Sequence, residues 1–328
     1  MVTAFQSLPS DSHRCEPVQV ATNSENFQDG RIGPRMPCPQ RREFFSRVSF
    51  SIAGMCTSLF LPISSSDCKC YLRKVPPSAG AIIELSPPPA TLLDPYDPAR
   101  NSIMDSVFSW SMATTMEDYE EEARPYKTEL FQSLFDSLAA DAGSRVPVIV
   151  EVGMGTFPNA PYFSQSMISS KLAGLDIIGV DPNDSMKQYA LKNAEKSGLL
   201  ASNVSLRIVH GVAEALPFPD ASVDAVVVTL TLCSVSNPER AVSEIRRILK
   251  PNTGKFIFWE HVLSESDKGL SWKQELLSPL QTFADGCHLN RRTGLVINNA
   301  GFQFVDQKYT TMENADFIGP TVFGIATK

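Results

Sequence analysis

The sequence predicts an α/β fold: a doubly wound, mostly parallel seven-stranded sheet that ends in an antiparallel hairpin. Three observations carry this expectation. Short apolar, β-branched runs alternate with helical segments from Val146 onward, which is the pattern of a parallel sheet covered on both faces. The first run, "VIVEVGMGTFPN" (Val148–Asn159), passes straight into a loop with two glycines, as a strand does before a nucleotide-type ligand. The last two runs, "QFVDQKYT" and "GPTVFGIATK", have no helix between them, so they must pair antiparallel.

The elements follow in order. Residues 1–75 hold five of the seven cysteines (Cys15, Cys38, Cys56, Cys68, Cys70) and show no sustained period of 3.6 or 2. They read as a disordered leader. "RREFFSRVSFSIAGMCTSLFLP" (Arg41–Pro62) has an arginine pair before a mildly apolar run too short and Ser-rich to cross a membrane. It suits an organelle transit peptide, addressed to a plastid or, alternatively, a mitochondrion. A tail with no address on a cytoplasmic protein is the other reading, since the leader is not acidic-poor. The Cys68–Cys70 pair has no second Cys/His pair at zinc spacing, and no metal is expected. Residues 76–116 read as a proline-rich linker, because repeated prolines from Pro76 to Pro98 forbid a continuous helix. Residues 117–328 are the expected folded domain.

That domain opens with a helix over "TTMEDYEEEARPYKTELFQSLFDSLAADAG", capped by Thr, split at Pro125 and closed by Gly143. Strands are expected at Val146–Gly153, Asp176–Pro182, "SLRIVHG", Val223–Leu232 and "GKFIFWEHV". Helices are expected around Tyr162–Leu172, over "NDSMKQYALKNAEKSGL", and over "NPERAVSEIRRILKP", where Asn237 caps and Pro238 takes the first helical position. "RRTGLVINNAGF" is a last helix. The hydrophobic content of 43% is that of a globular chain, and a net charge of −7 excludes nucleic acid as a partner.

Ligands of such sheets bind where the strands end. The first strand ends in Glu151, followed by Gly153 and Gly155, which let a ligand approach the backbone. An acid beside this loop is awkward for a pyrophosphate and comfortable for an ammonium group. Asp181 ends the second strand and suits two ribose hydroxyls or a helix cap. After the third, Gly211 and the residues beyond it can border an adenine, with Leu216 and Phe218 as cover; Glu214 is the acid there, or a plain loop acid. Thr229, Thr231, Cys233 and His261 follow the fourth and fifth strands. His261 is a general base or a structural histidine, and Cys233 is a small buried residue rather than a nucleophile.

"EVGMGT", "VDPN", "GVAEALPFPDASVDAVV" and "SEIRRILKPNTGKFIFWEHV" resemble a class I S-adenosylmethionine-dependent methyltransferase with a Rossmann-like sheet. "TLTLCSV" and "DGCHLNR" are similar to the branch with small-molecule thiol methyltransferases, and "AEALPFPD" to quinone-ring methyltransferases. The resemblance spans roughly Tyr126 to Lys328. It implies S-adenosylmethionine as cofactor, with Glu151, Gly153 and Gly155 holding its methionine part and Asp181 its ribose. It also implies Val212, Ala213 and Glu214 beside the adenine and Thr229 near the sulfonium. Phe157 replaces a common third glycine, so the loop must leave the cofactor earlier or turn differently. Val212 stands where many members carry Asp. The implied reaction is methyl transfer to a small-molecule acceptor, a thiol or other small apolar nucleophile; the alternatives are a quinone or phenol ring, or a non-catalytic cofactor-binding protein. His261, His288 and Glu214 are the candidate catalytic bases. Residues 272–293 are the expected substrate lid, walled by Trp272, Phe283 and Leu289. Peripheral membrane contact is compatible with the sequence, and the oligomeric state is left open.

Overall fold

The computed structural model describes Ile83, Leu85 and residues 87–328; the leader, its cysteines and its address lie outside the described residues. Seven strands form one sheet in the order β3-β2-β1-β4-β5-β7-β6. They are β1 (Val148–Val152), β2 (Leu175–Asp181), β3 (Val204–His210), β4 (Ala225–Thr229), β5 (Lys255–His261), β6 (Phe304–Thr311) and β7 (Pro320–Thr327). The first five run parallel, and β7 lies antiparallel between β5 and β6. Chain order reverses between β1 and β4, so the strand ends open a crevice there.

Among the described residues, seven helices longer than the short Ala90–Leu93 turn accompany the sheet: α1 (Ser102–Thr115), α2 (Glu117–Ala142), α3 (Ala160–Ser169), α4 (Lys187–Lys196), α5 (Pro238–Ile248), α6 (Lys268–Asp285) and α7 (Thr293–Asn299). Alternate residues of β1 serve opposite faces. Ile149 joins Phe131, Leu134, Phe135 and Leu138 of α2 and Phe163 of α3. Val148, Val150 and Val152 join Ala241, Val242, Ile245 and Ile248 of α5. Burial on both sides is why the strand reads as an unbroken apolar run. Asp224 pins the lower end of the sheet, accepting from Val148 N–H at 2.8 Å, Arg145 at 2.7 Å and Lys250 at 2.8 Å.

Four local expectations are corrected. Pro125 does not split the helix: α2 runs through it. The proline forfeits one backbone bond, and the buried Tyr119 and Ala123 before it and Leu130 and Phe131 after it hold both halves in line. No Thr caps α2, because Thr115 ends α1 and Met116 lies between the helices. The fourth strand stops at Thr229, where Leu230 turns out of the sheet at φ 54°. The stretch read as linker holds α1, capped by Asn101, whose side chain accepts from Ile103 and Met104 N–H. Among the described residues no helix is long and apolar enough to cross a membrane.

Candidate active site

The carboxyl ends of β1, β2 and β4 open into a cleft of about 500 Å³. Its floor is the loop Val152–Thr156. Gly153 has φ 67° and lies against Thr231, so a Cβ there would come within 2.1 Å of the Thr231 hydroxyl. Phe157 keeps a glycine-like backbone, φ 61°, while its ring is fully buried and packs on Phe163 at 5.6 Å. Phe157 thus takes the left-handed turn open to a glycine, which corrects the expectation of a different turn, and burial of its phenyl ring offsets the strain.

Nine of the sequence-derived candidates line this cleft: Gly153, Gly155, Asp181, Gly211, Val212, Ala213, Glu214, Thr229 and Thr231. The Asp181 carboxylate accepts from Gly155 N–H at 2.8 Å and from Asn183 N–H at 2.8 Å. Burial raises its pKa above the ordinary value although both N–H groups oppose the shift. Glu214 is buried, and one oxygen accepts from Ser236 and Asn237 N–H. It braces the start of α5 with the same carboxylate that faces the cleft.

Glu151, His261 and His288 are not among the lining residues. Glu151 lies one layer below the floor, 1% exposed. Asn159 donates to its Oε1 at 2.9 Å and to Thr229 Oγ1 at 3.0 Å, while Oε2 is buried without a partner. Burial pushes the Glu151 pKa up to about 8, against the Asn159 bond and the positive charge of Lys127. Lys127 is itself buried and donates to Glu120 at 2.7 Å and Asn159 at 3.3 Å. His261 ends β5 behind the cleft wall, with Nδ1 3.6 Å from Cys287 Sγ. His288 Nδ1 faces the Cys233 and Gly286 carbonyls.

The cleft has further lining residues that the sequence reading does not name. Tyr96, Arg100, Met104, Phe108, Met112 and Met116, on and around α1, wall the cleft on the side away from the sheet. The Asn101 cap signal could have exposed this helix. Glu260 is fully buried at the end of β5 and accepts from Thr231 N–H and Cys233 N–H, both at 3.0 Å, fixing the loop after β4. The expected lid is α6 and the loop after it, and its C-terminal Ala284, Asp285 and Gly286 line the cleft. Its named walls are corrected: Leu289 is buried in a small cluster with Cys233 and Cys287, and Trp272 and Phe283 are 64% and 91% exposed. A second depression of about 580 Å³, between the start of α5 and α7, holds none of the strand-end residues.

The donor set decides the ligand class. Arg100 is the one cationic side chain lining the cleft among the described residues, and Asp105 pairs with it at 2.7 Å. A pyrophosphate would meet acids rather than donors of positive charge. A cationic ligand with a ribose fits: Asp181 faces the cleft, and an unpartnered, buried carboxyl oxygen lies beneath the glycine loop.

Residues 150–258 match a methyltransferase domain family. The chain is 30% identical over 213 residues to human thiol S-methyltransferase TMT1A, covering 64% of this chain and 81% of the relative. The chain belongs to the class I S-adenosylmethionine-dependent methyltransferases. The rat thiol S-methyltransferase TMT1B is 29% identical over 229 residues, 69% of this chain and 88% of that one. The ubiquinone/menaquinone biosynthesis C-methyltransferase UbiE of Citrobacter koseri is 28% identical over 126 residues, 38% of this chain and 44% of that one. This methyltransferase therefore uses S-adenosylmethionine to methylate small molecules, on a Rossmann-like sheet closed by the β6–β7 hairpin.

Proposed function

We propose that the acceptor is a small apolar thiol, methylated at sulfur. The observation that carries this reading is the lack of a free base in the cleft. No histidine lines it among the described residues. Each lining carboxylate already holds a donor: Asp105 holds Arg100, Glu120 holds Lys127, and Asp181, Glu214 and Asp285 hold backbone N–H groups. A thiol, with a reference pKa of about 8.5, ionises in solution near neutral pH and needs no base from the protein. A phenol or ring carbon does. The names of the two thiol S-methyltransferase relatives support the same choice.

S-adenosylmethionine supplies a methyl group already activated by its sulfonium sulfur. The chain's contribution is position and dryness. Asp181 would accept the ribose hydroxyls, and Val212 and Ala213 would border the adenine. Gly153 and Gly155 would admit the methionine part, and Glu151 would balance its ammonium through the Asn159 network. Thr229 stands where that network meets the cleft. Met104, Phe108, Met112, Met116, Leu230 and Val235 give the cleft an apolar, adaptable wall that suits an apolar acceptor and excludes water.

The test is the pH dependence of kcat/KM with thiols of differing pKa. The rate should follow the thiolate fraction of each thiol, rising about tenfold per pH unit below its pKa. A pH-independent rate far below the thiol pKa, or methylation of a quinol where every thiol fails, would overturn the proposal. The second outcome would favour a ring acceptor, the reading to which the UbiE similarity points.

A further inference from the structure

Behind the acceptor side of the cleft, three side chains from three separate elements converge. Cys233 lies in the loop after β4, His261 ends β5, and Cys287 follows α6. Their Sγ, imidazole nitrogen and Sγ atoms all lie within 4.8 Å of one another, and all three residues are buried. The cysteines are free thiols. The three backbones are held independently. Cys233 N–H is bound by Glu260 and its carbonyl by His288 N–H at 2.8 Å. Cys287 N–H is bound by the Asp285 side chain at 2.9 Å and its carbonyl by Thr282 at 3.1 Å. His261 sits in the β5–β7 ladder opposite Thr321.

A plain apolar core does not explain this arrangement. Two thiols and an imidazole from three separate elements meet at one buried point. Without an ion, Cys287 and His261 form a thiol–imidazole hydrogen bond, and the same spacing matches that of two metal ligands. With Zn–S near 2.3 Å and Zn–N near 2.0–2.1 Å, a tetrahedral ion sets its sulfur and nitrogen ligands about 3.6 Å apart. Cys287 Sγ and His261 Nδ1 are 3.6 Å apart. We propose that Cys233, His261 and Cys287 form a binding site for a thiophilic d10 cation, zinc, with one coordination position left for water. Two thiolates and one imidazole are the donors that select zinc over oxygen-seeking cations. On binding, the ion sheds water, each thiol releases its proton to solvent, and two Zn–S bonds and one Zn–N bond form.

The place of the site gives it a purpose. Ser234, next to Cys233, and Gly286, next to Cys287, both line the cleft. A zinc ion would staple the loop after β4 to the loop after α6, fixing the wall that meets the acceptor. The proposal stands on the cluster itself and does not depend on whether the acceptor is a thiol.

The experiment uses the full chain with Cys15, Cys38, Cys56, Cys68 and Cys70 replaced by Ser, so that Cys233 and Cys287 are the remaining thiols. Anaerobic titration with cobalt(II) should saturate at one ion per chain, with thiolate charge-transfer absorption and the strong visible bands of tetrahedral cobalt; zinc should abolish both. Cys233→Ala and Cys287→Ala should each remove the charge-transfer band, with folding checked by circular dichroism. A second reading needs no variant at the site: zinc should raise Tm and protect both thiols from alkylation during partial unfolding, and a chelator should reverse both effects. Cobalt binding without the thiolate band, or no change in Tm or alkylation at tenfold excess zinc, would overturn the proposal. So would a Cys233–Cys287 disulfide in protein purified anaerobically with its metals.

Discussion

Replacing Glu151 by Gln tests the site where structure and chemistry are most tightly coupled. Burial holds its pKa at about 8 against an ordinary 4.5, so the folded, ligand-free protein keeps this carboxyl protonated at pH 7. Near pKa 8 it is only about one-tenth ionised at pH 7, and ionising it costs about 1.4 kcal/mol. If the cofactor's ammonium requires the carboxylate, affinity should rise about tenfold from pH 6 to pH 7, and binding should release close to one proton. Above pH 8 the cofactor's own α-amino group, with a reference pKa of about 7.7–8.0, loses its charge, so the wild-type profile should be bell-shaped. Glu151→Gln should abolish the rising limb and weaken binding by about 1.5–3 kcal/mol near pH 8, the range for hydrogen bonds to charged groups. Its effect on the fold has the opposite sign. A pKa raised on folding costs stability as pH rises from the unfolded value towards the folded one. Removing the group should therefore stabilise the free protein by up to about 3 kcal/mol at pH 7, a gain that vanishes below pH 4.5. Calorimetry in two buffers of different ionisation enthalpy measures affinity and proton release together, and thermal melts measure stability. Affinity that is flat from pH 6 to 7.5, with no proton released, would refute the reasoning.

Three further outcomes are expected. Asp181→Ala should weaken S-adenosylmethionine binding by about 2–4 kcal/mol in calorimetry, from the loss of charge-assisted bonds to the ribose. Gly153→Ala places a methyl group 2.1 Å from the Thr231 hydroxyl at φ 67°, and thermal melts should show a loss of about 2–4 kcal/mol together with loss of cofactor binding. Asp224 keeps a pKa below its ordinary 3.8: burial opposes this, but Arg145, Lys250 and the Val148 N–H outweigh it. Its contribution is present above that value and lost as pH falls through the folded pKa. Asp224→Asn should cost about 1–3 kcal/mol near neutral pH, discounted because Arg145 and Lys250 keep contact with solvent, and the difference should shrink in melts below pH 4.

The sheet was legible because its signals are local. β-branched runs at Val148–Val152 and Ala225–Thr229, the Asn237–Pro238 helix start and the missing crossover before β7 each need only a few neighbouring residues to read. Errors arose where tertiary packing overrides a local rule. Pro125 is tolerated because buried neighbours on both sides hold the helix straight, and α1 follows directly on a proline-rich stretch that was read as linker. The glycine loop was legible for the same local reason, but its turn at Phe157 was not: the left-handed backbone there, which the sequence was read to exclude, only the structure reveals. Depth was not. Glu151, His261 and His288 belong to strand ends and loops as expected, yet lie one layer behind the cleft surface, and sequence spacing does not encode that distance. Cys233 and Cys287 lie far apart in sequence, so their meeting with His261 could not be read before the fold was known.

The central claim is that this chain moves a methyl group from S-adenosylmethionine to the sulfur of a small molecule. The direct measurement incubates the full chain with methyl-deuterated S-adenosylmethionine and a panel of small thiols, phenols and quinols, and identifies products by mass spectrometry. A deuterated methyl sulfide formed from an apolar thiol, in step with S-adenosylhomocysteine, is the predicted result. Methylated quinol or phenol without any S-methylated product would contradict the thiol assignment, and cofactor binding with no labelled product from any acceptor would contradict the claim as a whole.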